Sequence, residues 1–162
     1  VNETRTYLEM TSRADLRPAR EPGEPVSVSL QQPPDPQLNR QLYVSVGQQW
    51  RWIDRLPWSD AVWAVYVQNP ELETWVMRVG AEPAGYVELA LPADRNAQIM
   101  YFGLLPGFIG RGLGGYLLTR AVQRAWDAGA QRVWLHTSSL DHPHALANYL
   151  ARGFRVCDTE ER

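Results

Sequence analysis

Apolar and polar residues alternate with a period of two over Val26–Leu30, which predicts a strand. Pro33-Pro34-Asp35-Pro36 ends it, and the period changes to that of a helix. Asp35 and Pro36 suit a helix start, and Leu38, Leu42, Tyr43 and Val46 share one face up to about Val46. Ser59-Asp60 caps a second, short helix from Ala61 to about Gln68. Thr74–Val79, a turn at Gly80–Pro83 and Ala84–Leu91 read as a hairpin, and Asn96–Leu104 as the next strand. Leu113, Leu117, Leu118, Ala121, Val122 and Ala125 then recur at helical spacing until Ala128-Gly129. A buried strand at Val133–His136, a helix at His144–Arg152 and a strand at Phe154–Asp158 complete the pattern. Residues 1–25 are polar with scattered Arg and Pro and read as an arm, in which Tyr7–Met10 suits a short strand. The domain proper is expected over 26–162.

Composition narrows the class rather than the fold. The 162 residues suffice for one core, and a formal charge of −2 gives no electrostatic reason to expect nucleic acid or an anionic membrane. No apolar run approaches the ~20 residues of a membrane span. Cys157 is alone, which excludes an internal disulfide and suits a reducing, cytoplasmic setting. Seven tryptophans are unusual, and Trp50, Trp52 and Trp58 cluster in one predicted loop.

The candidate chemistry starts at Leu104–Trp126. A strand runs past Pro106 into four glycines within six positions, Gly110, Gly112, Gly114 and Gly115, and then into the long helix. The first N–H groups of a helix lack internal partners and carry partial positive charge, so a glycine-lined helix start suits a diphosphate. Arg111 adds a cation among the glycines. The run lacks the Lys-Ser/Thr of a P-loop and the spacing of a dinucleotide fingerprint. From the glycines alone, an anion site and a tightly packed helix entry are equally good readings.

The stretch resembles the acetyl-CoA motif of the GCN5-related N-acetyltransferases. Leu104-Leu105-Pro106 stands at that family's V-x-P, and Ile109-Gly110-Arg111-Gly112-Leu113-Gly114 at its Q/R-x-x-G-x-G/A. Ile109 departs from the usual Gln or Arg. Downstream, Ala145, Tyr149, Gly153 and Phe154 fit the family's A-x-x-x-Y-x-x-x-G-F ending. The resemblance implies a single-domain α/β fold, a mixed central sheet flanked by helices. It also implies acetyl-CoA as cosubstrate, held by Phe102, Gly103, Leu104, Leu105, Gly110, Arg111, Gly112, Leu113, Gly114, Gly115 and His142. The two strands around the glycine helix are expected to splay, with a free N–H near Leu104 or Leu105 holding the thioester carbonyl.

The implied activity is direct transfer of the acetyl group to a primary amine. Tyr149 takes the position of the family's tyrosine acid. His136 and Glu88 are rival bases, and each also has a bland reading, as a strand-end histidine or the polar side of a strand. Trp52, Asp54, Trp58 and Tyr86 are the acceptor-pocket candidates. His136, His142 and His144 lack accompanying cysteines and are separated by a Pro-bearing loop, so no metal is expected. The acceptor is a small molecule or a protein amine. A non-catalytic acyl-CoA-binding sensor or interaction module is the alternative. The family usually ends with one more strand, so the arm, from this or a partner subunit, is expected to cover part of the sheet, which leaves a homodimer open.

Overall fold

The predicted hairpin and the strand after it form the middle of a seven-stranded mixed sheet in a computed structural model that describes residues 2–162. In chain order the elements are β1 (Thr4–Met10), β2 (Val26–Leu30), α1 (Pro36–Gly47), α2 (Asp60–Val67), β3 (Leu72–Val79), β4 (Glu82–Ala90), β5 (Asn96–Leu104), α3 (Leu113–Asp127), β6 (Arg132–Ser138), α4 (Ala145–Ala151) and β7 (Arg155–Glu161). The sheet order is β2-β3-β4-β5-β6-β1-β7, and only β5 and β6 run parallel.

The local signals act as chemistry dictates. The Asp35 side chain accepts from the N–H groups of Gln37 and Leu38, and Pro36 opens α1 where a missing N–H costs nothing. The Ser59 hydroxyl caps α2 by accepting from Val62 N–H. The apolar stripe of α3 buries Leu113, Leu117, Leu118, Ala121, Val122 and Ala125 against the sheet. Each fully buried leucine there contributes roughly 1.5–3 kcal/mol.

The amino-terminal segment covers the sheet as expected, but as a strand inserted into it rather than as a loose arm. β1 lies between β6 and β7, antiparallel to both, with Tyr7 opposite His136 on one side and Asp158 on the other. Leu8 and Met10 are completely buried in the main core. Period two explains this: Leu8 and Met10 point to the face packed by α3, while Arg5, Tyr7 and Glu9 point to the other. β7, as the outer strand, is exposed along its length.

Two irregularities position the site. The β4–β5 register skips Met100, pairing Glu88 with Tyr101 but Leu89 with Ile99. This bulge bends β5 where its pairing with β6 stops, since the parallel ladder covers only Asn96, Ala97 and Gln98. Beyond Gln98 the two strands diverge. Gly85 and Gly103 then permit close packing: a Cβ on Gly103 would lie 2.4 Å from a Val46 methyl, and one on Gly85 would lie 2.6 Å from the Gly103 carbonyl.

Candidate active site

The gap between β5 and β6 opens into a cavity of about 970 Å³ that passes through the sheet. Strand alternation assigns its two sides. Leu135 and Phe102 face α3 and α4, where Tyr149 sits. His136 and Tyr101 face α1 and the loop after it.

At one end are the glycines. Gly110, Gly112, Leu113, Gly114 and Gly115 all line the cavity. Gly110 (φ 85°) and Gly112 (φ 76°) are left-handed, and Gly112 is the N-cap of α3 with no side chain to satisfy the first N–H groups. The N-terminus of α3 therefore opens into the cavity with its donors uncovered. A diphosphate fits this cradle, and space for a Cβ at Gly112 is empty of protein. Gly112→Val is expected to weaken acetyl-CoA binding at least roughly tenfold, because a β-branched residue resists positive φ and would fill the cradle. Calorimetry checks it, and an unchanged affinity would remove the cradle from the site.

Along the gap, Phe102, Gly103 and Leu104 line the wall as expected. Leu105 N–H does not serve as a free donor, because it donates to the Ala84 carbonyl at 2.8 Å. That bond determines the orientation of its neighbour. In an antiparallel ladder hydrogen-bonded and non-bonded pairs alternate, so Leu104, opposite Gly85, directs its N–H away from β4 and into the gap. Arg111 also departs from expectation. It forms an ion pair with Glu24, lies 5.0 Å over the Phe108 ring, and does not line the main cavity. It lines a smaller neighbouring hollow with Arg20, Asn148 and Arg152.

Tyr149 is buried on α4, its ring 6.1 Å from those of Phe102 and Phe154. Burial, with a lesser push from Asp141, raises its phenol above the ordinary value, so it is protonated at neutral pH. Across the gap, His136 is exposed to the cavity. Desolvation first and Arg5 second lower its pKa, so its imidazole is neutral at pH 7.

Glu88 and Tyr86 do not reach this space. Glu88 is fully buried and accepts from Arg55 Nη1 (2.9 and 3.2 Å), Asn39 Nδ2 (2.9 Å) and the Tyr66 hydroxyl. With both oxygens engaged, it is unavailable as a base to anything in the gap. Tyr86 is likewise fully buried, in the cluster under α1. Both sit on β4, one strand away from the opening.

The residue that sequence reasoning missed is Arg55. Its guanidinium is enclosed by five rings, with centroids 4.2 Å (Tyr66 and Tyr101), 4.7 Å (Trp58), 5.5 Å (Trp63) and 5.8 Å (Tyr43) away. Burial is the largest influence and would lower its pKa, but the charge and hydrogen bond of Glu88 together with Tyr66 and Tyr101 hold it above the ordinary value. This pair fastens the loop between α1 and α2 to the sheet. The loop then crosses the gap: Trp52 Nε1 donates to Asp141 (3.4 Å), and Trp50 packs edge-on to His142 at 4.8 Å. Asp141 is itself held by the Thr137 hydroxyl (2.7 Å) and Ser138 N–H (2.9 Å). The Thr137-Ser138 to Asp141 spacing was the available signal for it. Trp52, Asp54 and Trp58 line the cavity, as does His142. Among the described residues, no group of three or more His, Cys, Asp or Glu is placed to hold a metal ion. No helix among them is long and apolar enough to cross a membrane.

The Acetyltransferase (GNAT) family model matches residues 39–154. The chain belongs to this family. The seven-stranded mixed sheet with its flanking helices is thus this chain's GNAT fold. Curated relatives include uncharacterized N-acetyltransferases of Mycobacterium bovis and Mycobacterium tuberculosis, 31% identical over 101 residues. That match covers 62% of this chain and 64% of theirs, so it spans less than two thirds of the relatives' length. Among solved structures, a GCN5-related N-acetyltransferase from Sphaerobacter thermophilus matches with a TM-score of 0.69 at 18% identity, covering 99% of this chain and 51% of that one. The ribosomal-protein-S18-alanine N-acetyltransferase of Escherichia coli matches with a TM-score of 0.65 at 17% identity, covering 83% and 80%. At such identities these neighbours bear on the GNAT fold alone.

Proposed function

We propose that the protein transfers the acetyl group of acetyl-CoA directly to a primary amine. The observation that carries this reading is the pairing of an uncovered helix N-terminus with a gap that has a neutral imidazole on one side and a protonated phenol on the other. The glycine cradle would hold the diphosphate, and the open edge of β5 would pair with the pantetheine amides. Leu104 N–H points where the thioester oxygen would gain charge. Holding both reactants in one channel supplies orientation.

The amine nitrogen attacks the thioester carbonyl, a C–N bond forms and the C–S bond breaks. His136 takes the proton that the nitrogen loses, and the Tyr149 hydroxyl gives one to the departing thiolate. Glu88 has no part in either transfer. A module that only bound acyl-CoA would need the cradle but not two titratable groups lining the gap from opposite faces of the sheet.

Calorimetric binding of acetyl-CoA together with release of free CoA thiol over an amine panel tests the reading; absence of binding would overturn it. The pH profile tests the base. A base works in its neutral form, so kcat/KM should fall as pH drops through a pKa below the ordinary imidazole value of about 6.5. In His136→Ala that limb should vanish; a limb that persists unaltered would assign the base elsewhere.

A further inference from the structure

The cation cage that Trp58 of the tryptophan-rich loop forms with Tyr43 of α1, Trp63 and Tyr66 of α2 and Tyr101 of β5 already has an occupant. Arg55 fills it, and Glu88 neutralises Arg55 from beneath. An incoming ammonium group therefore cannot use the cage or the buried carboxylate.

The remaining charges on the cavity wall are few. Asp141 accepts from Thr137, Ser138 and Trp52, and Glu3 accepts from the Ser138 hydroxyl. Arg162 leans on Glu160 at 3.6 Å. Asp141 and Glu3 accept from neutral donors only and keep their charge, which the unpaired cations Arg5 and Arg51 offset; among the described residues, that leaves Asp54 as the surplus cavity carboxylate, with no hydrogen-bond or ion-pair partner. The loop that carries Asp54 also lines the cavity with Trp50, Trp52, Ile53 and Trp58, alongside Arg51 and the caged Arg55. One uncommitted carboxylate satisfies one ammonium group. A second cation on the same molecule would meet Arg5 or Arg51, or lie unpaired against indole and isoleucine.

Resting on the acetyl-transfer reading, we propose that the acceptor carries a single primary amine on an apolar or aromatic body, and that polycationic amines are excluded. Asp54 receives the ammonium group, which releases one proton to solvent to become the nucleophilic amine; His136 takes the second as the C–N bond forms, and the tryptophans hold the body of the molecule.

The test compares kcat/KM for phenethylamine and for spermidine at saturating acetyl-CoA, by release of CoA thiol. Phenethylamine should be favoured by at least roughly 100-fold. Asp54 is exposed, so Asp54→Asn should fold. It should raise the KM for phenethylamine at least roughly tenfold and leave the KM for acetyl-CoA unchanged. If acetyl-CoA is turned over but spermidine is the equal or better acceptor, the acceptor class is wrong and acetyl transfer stands. An unchanged phenethylamine KM in Asp54→Asn overturns the role of Asp54. If neither amine releases CoA, the proposed class is overturned; if acetyl-CoA also fails to bind, the transfer reading falls with it.

Discussion

Tyr149→Phe is expected to lower kcat by about 100-fold, the lower range for loss of a positioned general acid, with acetyl-CoA affinity nearly unchanged. The substitution removes one oxygen and keeps the ring. The contacts that hold the ring, with Phe102 and Phe154 at 6.1 Å each, survive in phenylalanine. The fold and this wall of the cavity should therefore persist. What is lost is a hydroxyl that burial keeps protonated at neutral pH, on the side of the gap opposite His136. Single-turnover kinetics with a calorimetric Kd separates the two effects. An unaltered kcat would reduce Tyr149 to a core residue of α4.

The second large effect concerns stability. Glu88→Ala is expected to destabilise the fold by about 3–5 kcal/mol, because it strands the Arg55 charge among five rings with no anion. For a chain of this size that corresponds to a Tm lower by roughly 10 °C. Glu88→Gln should cost less, since an amide oxygen can still accept from the Arg55 guanidinium. The same variants discriminate between roles for Glu88. If it were the base, Glu88→Gln would remove turnover and leave Tm nearly intact. As the anchor of the acceptor loop, it should move Tm first. A Glu88→Ala protein as stable as the parent would refute the anchor.

Helices and strands were legible because their signals are local. Asp35-Pro36 and Ser59 cap their helices by bonds reaching only two or three residues ahead, and the stripe of α3 follows from its own period. The glycine cradle was legible for the same reason: left-handed backbone at positions 110 and 112 is a property that glycine advertises. Tyr149 and His136 were found through motif position and the end of a strand.

What the chain alone could not reveal depends on partners far apart in sequence. Tyr7–Met10 shows period two, but nothing local says that it will slot between β6 and β7, more than a hundred residues on. Glu88 has the same chemistry in a list of residues whether it faces a cleft or a guanidinium. The arrival of Arg55 from the loop after α1 decides which. Charge pairing is a through-space property, so tertiary packing alone sorted the carboxylates, sealing Glu88 and leaving Asp54 exposed on the cavity wall.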